Sequence, residues 1–391
     1  LNITDVYNFL KASFGEVLFI APHEEYMNQR PILQAIFSRA KMADYVQAMQ
    51  IEVQRWLNRL GDEGEIDIST EMLRLTQFVA GRAFIGPDFE AELGEAFWQD
   101  YDDISHSIDP ITPAHWPLPK FWRRDRAKVR IQARLKELIA RRHETPEAYD
   151  DLITQIFEQS KKDGTAMTDD EIVRLFMGLI FAGHETTAGQ AAWNVILLLQ
   201  HPNYLQLVKD EIATQTEPGQ PLDGRVMRGL QHIYWAIDET SRLRPSAPMQ
   251  LRIVEEPIEF GDYVVPAGWL LRVSSATSHY LEDVFQKPDT FDPPRFSRER
   301  GEGKNSYNII SFGGGMHKCT GMNFANNEMA VITTLLFQQF DVELVTENPQ
   351  ILIGVGANRP TETIIRYRRK ETGRGEEASV QETVNTTAVY G

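Results

Sequence analysis

Apolar residues recur at three- and four-residue intervals from Asp44 to Leu60 and again from Ala127 to Arg142, the rhythm of helices with one buried face. The first half of the chain therefore reads as mainly helical. Thr168 to Glu171 spells T-D-D-E, a capping box in which hydroxyl and carboxylate each satisfy a free amide of a first turn. A helix is predicted to start there, to run through EIVRLFMGLIFAGHETTAGQAAWNVILLLQ, and to stop at His201-Pro202, because proline cannot continue it. At 1.5 Å per residue it would be about 45 to 50 Å long. Its middle is apolar on all sides, which predicts a path through the core. From Ile258 to Ser275, β-branched and aromatic residues alternate around Gly-Asp and Pro-Ala-Gly breaks, the pattern of a small antiparallel sheet. MNFANNEMAVITTLLFQQF, just after Cys319, reads as another helix. The fold class is thus mainly α with minor sheet. No internal repeat and no linker divides residues 1–370, which are expected to form one domain. The polar tail 371–391 has little to bury and is expected to be disordered.

Charge narrows the function. With 40 Lys and Arg against 56 Asp and Glu, the 391-residue chain carries a net charge of -16, and no basic domain stands out to neutralise phosphates, so nucleic acid is not expected as a partner. One stretch runs against the average: WRRDRAKVRIQARLKELIARR is strongly basic, and reads either as an amphipathic helix with a solvated face or as a binding patch. No apolar run is long enough to span a bilayer, so a soluble, cytoplasmic monomer is expected. The sequence begins with Leu1 rather than Met, which leaves open an upstream anchor.

Cys319 is the sole cysteine, so no intrachain disulfide can form, and the thiol reads as a ligand or nucleophile. It lies in FGGGMHKCTG, near the start of a helix whose free amides favour thiolate. Gly313, Gly314, Gly315 and Gly321 remove side chains on both sides of the sulfur, which suits backbone lying against a large planar ligand, and Phe312 can shield it. A cysteine hydrolase is the poorer reading, because His317 is two residues away on the same loop. The plainest alternative is a small buried hydrophobe.

A second cluster is AGHETT, Ala182 to Thr187, inside the long helix. A threonine that bonds back to an earlier carbonyl can open a bulge, here expected at Gly183, making room for a small ligand. Glu185 beside Thr186 in an apolar helix is costly unless it handles protons or faces a water-filled groove. The pair His184-Glu185 lacks the second histidine of a zinc-protease helix, and Gly303-Lys304 is followed by Asn305 rather than Ser or Thr. In DETSR, Glu239 and Arg242 share a helix face. With Arg295 of FDPPRF they suggest a buried Glu-Arg-Arg set, although such a pair alone is common on surfaces.

Taken in this order, the haem-loop pattern at Phe312, Gly313, Gly315, His317, Cys319 and Gly321, the run Ala182 to Thr187, the Glu239 and Arg242 pair and Arg295 resemble the cytochrome P-450 superfamily of haem-thiolate monooxygenases. The resemblance covers nearly the whole chain to Lys370. It is similar to the sterol 14α-demethylase branch through YNFLKASFGEVLFIA, GDEGEIDI, LRIVEEPIEFGDYVVPAG and TIIRYRRK. Two departures stand out: that branch usually carries His where Glu185 stands, and its motif after Phe14-Gly15 is one residue longer. The family's N-terminal strands and first helices have no counterpart in this sequence.

The resemblance implies haem b with Cys319 as the axial thiolate, His317 and Arg252 on the propionates, and Phe312, Gly313, Gly321 and Tyr7 beside the cofactor. It implies O2 as co-substrate, proton delivery by Glu185 and Thr186, and NAD(P)H electrons arriving through a ferredoxin or flavoprotein. That partner is expected to dock by Arg55, Arg59 and Lys318. A lipophilic substrate would be lined by Met177, Ile180, Phe181, Ala182, Pro248, Met249, Leu251 and Val355. Oxidative 14α-demethylation of a sterol is one expectation, and oxidation of a fatty acid or terpenoid the alternative. A haem sensor without turnover would need no proton relay.

Overall fold

The computed structural model describes residues 3–17, 20–163, 167–354 and 356–371. From residue 372 the expected tail lies outside the described residues, as does Val355. The longer helices are α1 (His23–Ile36), α2 (Arg39–Leu60), α3 (Ile68–Ile85), α4 (Gly94–Ser105), α5 (Pro119–Glu144) and α6 (Leu152–Asp163), followed by α7 (Asp169–Gln200), α8 (Pro202–Gln215), α9 (Gln231–Leu243) and α10 (Met322–Gln339). The strands are β1 (Glu63–Asp67), β2 (Met249–Ile253), β3 (Ile258–Phe260), β4 (Tyr263–Val265), β5 (Leu270–Ser274), β6 (Phe340–Leu344), β7 (Ile351–Leu352), β8 (Arg359–Pro360) and β9 (Ile364–Arg369).

Helix α7 forms as its sequence dictates. Thr168 Oγ1 accepts from the Glu171 amide at 3.3 Å while the Glu171 carboxylate accepts from the Thr168 amide at 2.7 Å, completing the capping box. At the other end Pro202 opens α8. Between them α7 packs against α3, α5, α9 and α10, and the apolar core that surrounds it is continuous from Leu10 to Tyr367. Ala182 and Gly183 are the exception: mid-helix, yet exposed, because they face an internal opening. The bulge expected at Gly183 does not form. Thr186 Oγ1 donates to the Ala182 carbonyl at 2.7 Å, yet the α-helix runs on unbroken. Space arises because nothing packs within 4 Å of where a Gly183 side chain would begin.

Sheet is minor and antiparallel. Strand β9 pairs with both β1 and β6, joining the two ends of the fold. The segment Ile258 to Ser275 folds as alternation predicts, with β3 and β4 turning at Gly261 (φ 58°) and β5 returning to pair with β2.

Helix α9 carries a buried ionic cluster. The Glu239 carboxylate accepts from Arg242 Nε (2.7 Å) and Nη2 (2.9 Å), from Arg295 Nε (3.0 Å) and from the Asp292 amide (2.8 Å). All three side chains are fully buried. Arg242 also donates to the carbonyls of His279 and Thr290, and Arg295 pairs with Glu302 at 2.5 Å, a partner that sequence distance concealed. Every charge has a counter-charge, so the set survives burial only while complete. Replacing Glu239 with Ala strands the buried Arg242 guanidinium and leaves Arg295 with Glu302 alone. The expected loss is about 3 to 5 kcal/mol, read as little folded protein on expression; normal yield with an unchanged melting curve would contradict this.

Candidate active site

The loop from Ile310 to Gly321 has little secondary structure of its own, a single 3-10 turn at Gly315–His317. Its shape is held from outside. His279 Nδ1 donates to the Arg242 carbonyl (3.0 Å) while its Nε2 accepts from the Ile310 amide (3.0 Å). Ser311 Oγ donates to the Ser241 carbonyl at 2.7 Å, Gln250 Nε2 to the Ile310 carbonyl at 2.8 Å, and Tyr26 OH to the Met316 carbonyl at 3.0 Å. Within the loop, the Cys319 amide donates to the Phe312 carbonyl at 2.8 Å. Gly313 sits at φ 75°, and a Cβ there would stand 3.3 Å from the His317 carbonyl, so glycine is required on both counts.

Cys319 counts as exposed only because it forms part of a cavity wall; protein surrounds it otherwise. Burial pushes its thiol pKa up, opposed by the amides of Gly321 and Met322 and by Lys318. Burial thus outweighs the helix-end effect expected from sequence. A thiolate here depends on a bound cation.

The cavity measures about 400 Å³ and lies between this loop and α7. Phe312, Gly313, His317, Gly321, Arg252 and Tyr7 join Cys319 on its walls. Ile180, Phe181, Ala182, Gly183, Thr186 and Met249 also line it. One edge is basic: burial pushes the His317 pKa down, and Arg252, His23 and Arg30 add to the effect. The buried Arg30 Nε has no hydrogen-bond partner among the described residues. Tyr26 holds the His317 ring, centroids 4.6 Å apart.

Glu185 lies elsewhere. It lines a second, more polar cavity of about 760 Å³ with Arg74, Asp102, Ser105 and Arg359, and its carboxylate accepts from Ser105 Oγ at 2.5 Å. Thr186, one residue on, faces the Cys319 cavity. His184 and Gly356 border both chambers. His184 is pinned through Nε2 to the Leu73 carbonyl at 2.9 Å, and burial pushes its pKa down.

Several expected lining residues are not in the Cys319 cavity. Met177 is part of the core, on a face of α7 turned from the opening. Pro248 lines a separate small cavity beside Trp193. Leu251, between Gln250 and Arg252 on β2, does not line the cavity, although its strand neighbours do. Arg55 pairs with Glu52 at 3.1 Å, and Arg59 lies over Phe78, a wall of the second chamber. Of the three cations expected to dock a partner, only Lys318 is on the cysteine loop. Sequence reasoning missed Glu328, which lines the Cys319 cavity, is buried, and has its carboxyl pushed well above the ordinary range by burial.

The family model for cytochrome P-450 matches residues 2–364. The chain belongs to the cytochrome P-450 family. It is 27% identical to the sterol 14-demethylase of Arabidopsis thaliana, over 95% of this chain and 78% of that one. Identity to the sterol 14alpha-demethylase of Mycolicibacterium vanbaalenii is 28%, covering 95% and 84%, and to the lanosterol 14-alpha demethylase of Bos taurus 27%, covering 95% and 75%. Among solved structures, retinoic acid bound cyanobacterial CYP120A1 superposes with a TM-score of 0.80 at 25% identity, covering 93% of this chain and 82% of that one. This cytochrome P-450 is accordingly a monooxygenase of the haem b class, using O2 and NAD(P)H electrons passed by a redox partner. Its residues fit that cofactor: a single thiol, a glycine-edged loop, and Arg252 and His317 on the same wall to meet carboxylates.

The clamp on the loop is pH-sensitive. Burial lowers the His279 pKa to about 4, and nearby Arg242 opposes protonation further. The unfolded chain then binds a proton near its ordinary value of about 6.5 while the folded protein does not. The His279 contribution is thus complete above about pH 6.5 and lost as pH falls toward 4, by about 3 kcal/mol in total. Melting of the haem-loaded protein across that window should show this component, and His279→Asn should lack it; equal acid sensitivity in both would contradict the assignment.

Proposed function

We propose that this cytochrome P-450 removes the 14α-methyl group of a sterol-type substrate by successive oxidations, with Cys319 as its iron ligand. The reading is carried by one juxtaposition: the sole cysteine, on its glycine-edged loop, shares a cavity with Thr186 and the open face of α7. Sterol demethylases of a plant, a bacterium and a mammal each align with about 95% of the chain, which supports the substrate class. Phe37, Ile180, Phe181 and Met249 give the cavity the apolar walls that a sterol needs.

Bound haem supplies the iron that activates dioxygen. The Gly321 and Met322 amides would steady a Cys319 thiolate, and Arg252 and His317 on the cavity wall would hold the haem carboxylates. Thr186 donates its hydroxyl to the Ala182 carbonyl, and its oxygen would hold a water inside the Cys319 cavity. Glu185, hydrogen-bonded by Ser105 in the polar chamber, renews the proton from solvent. The two groups leave α7 about 100° apart, one into each chamber. Lys318, exposed on the cysteine loop, is the basic contact offered to an acidic ferredoxin or a flavoprotein.

A second reading keeps the chemistry and changes the substrate to an isoprenoid. It draws on Glu185, which stands where the demethylases usually have His, and on the solved relative bound to retinoic acid.

Two measurements test these assignments. Cys319→Ser should abolish the thiolate-type spectrum of the reduced carbon monoxide complex, and retention of that spectrum would remove Cys319 as ligand. A sterol should displace the resting haem spectrum on titration and be demethylated in a reconstituted redox chain, where fatty acids and terpenoids are not. In the same assay Thr186→Ala should keep binding and NAD(P)H consumption while product per reducing equivalent falls at least ~10-fold in favour of hydrogen peroxide. Oxidation of a terpenoid alone would select the second reading, and unchanged coupling would remove Thr186 from the proton path.

A further inference from the structure

Helix α4 buries a phenol that the fold leaves unused. Tyr101 is 0% exposed, and its hydroxyl has no hydrogen-bond partner among the described residues. Such a group costs stability, so phenylalanine would suit the packing better. On α7, against it, stands a complementary orphan. His184 is 4% exposed and donates through Nε2 to the Leu73 carbonyl at 2.9 Å. The ring hydrogen is therefore on Nε2, and Nδ1 is an acceptor, buried and without a partner among the described residues. The two rings meet edge to face, centroids 5.6 Å apart. A ring with a spare donor thus packs on a ring with a spare acceptor.

The pair stands between the two chambers. His184 borders both, and Tyr101 also reaches the wall of the Cys319 cavity through Phe14, at 6.4 Å, which packs on Phe181 at 4.3 Å. In the other direction Trp98, one turn back on α4, has its ring 6.2 Å from that of Tyr101. Trp98 lines the polar chamber together with exposed Glu90, Glu95 and Gln99, so this end of the row is in contact with solvent. Burial pushes the Tyr101 pKa well above the ordinary range, with Glu185 and Asp102 adding to the effect, so the phenol keeps its proton unless an electron is removed from it. Burial also makes His184 a weak base, which returns what it takes.

We infer that Tyr101 and Trp98 carry oxidising equivalents out of the Cys319 cavity when no substrate consumes them, with His184 Nδ1 as the local proton acceptor. In each pass Tyr101 gives one electron to the oxidised haem and its hydroxyl proton to His184. Trp98 then gives an electron to the tyrosyl radical, and His184 returns the proton. The hole is left on the indole, where the carboxylates of Glu90, Glu95 and Glu185 favour positive charge. A small neutral thiol entering the chamber restores Trp98 with one electron and releases a proton. Two passes return two electrons, the two protons complete a water, and the two thiyl radicals join as a disulfide. Overall, one hydrogen peroxide and two thiols yield one disulfide and two waters; dioxygen reduced by two electrons stands at the same level as peroxide. Other tyrosines are placed differently. Tyr26 and Tyr45 direct their hydroxyl protons to the Met316 and Ile36 carbonyls, at 3.0 and 3.2 Å, which take up no proton, and Tyr7 has Phe9 as a ring neighbour at 6.2 Å.

The test mixes the full haem-loaded, substrate-free protein with hydrogen peroxide and freezes it for electron paramagnetic resonance. A tyrosyl signal is expected, lost in Tyr101→Phe and in His184→Gln, which keeps a donor for the Leu73 carbonyl but supplies no base. In Trp98→Phe the signal should last longer, because the onward step is cut. Tyr101→Phe removes only an unpartnered hydroxyl, so its melting temperature should hold or rise. The same variant should lose its haem absorbance to peroxide faster than the wild type, and added thiol should protect the wild type but not Trp98→Phe. An unchanged signal in Tyr101→Phe or His184→Gln, a signal abolished by Tyr7→Phe instead, or no protein radical in the wild type would each overturn the inference. So would equal bleaching of Tyr101→Phe and wild type, or a lowered melting temperature showing that the hydroxyl serves the fold. No substrate is present in these measurements, so they stand apart from the sterol assignment.

Discussion

The Glu239 carboxylate is the point on which the cysteine loop depends. A segment without ladder or helix cannot fix its own backbone, so the conformational entropy of residues 310–321 has to be offset by contacts from elsewhere. Those contacts descend from α9. Glu239 orients Arg242, whose Nη1 reaches the His279 carbonyl while its own carbonyl fixes the imidazole of the same residue, and that ring holds Ile310. Ser241, between the two charged residues, fixes Ser311. A cluster with no access to solvent thus governs where a sulfur atom stands two residue shells away.

Helix α7 works as a partition. Its residues advance by about 100° each, so neighbours in sequence look into different spaces. Thr186 sees the apolar cavity with the sulfur, Glu185 the chamber lined by Asp102, Ser105 and Arg359. Burial pushes the Asp102 carboxyl pKa up, and the Glu185 charge adds to the effect. The helix thus keeps an apolar cavity and a polar one apart, each on its own side.

What could be read from the sequence was local. The capping box at Thr168, the stop at Pro202 and the glycines around Cys319 act over a few residues, and each is found where its chemistry places it. The Glu239 set was legible because two of its members share a helix turn. What failed depended on orientation or distance. Met177 is an apolar residue in the right element but on the wrong face, and Gly183 brought space through missing neighbours rather than through a bulge. The separation of Glu185 from Thr186 was implicit in helical geometry, whereas Tyr26, Gln250 and His279 reach the loop across tens to hundreds of residues and left no local sign.

Gly356 gives the partition its thinnest point. A single added carbon there would stand 2.4 Å from a Glu185 carboxylate oxygen, and the residue borders both chambers. The stretch around it is held by the two-residue β7 and β8 ladder and by the Asn358 amide on the Ser246 carbonyl, whose hydroxyl in turn caps the carbonyl of Thr186. A side chain at this position would press on the acid and, through Ser246, strain the hydroxyl. One bare backbone position therefore keeps the two chambers apart without crowding the carboxylate beside it, a spacer made of absent atoms.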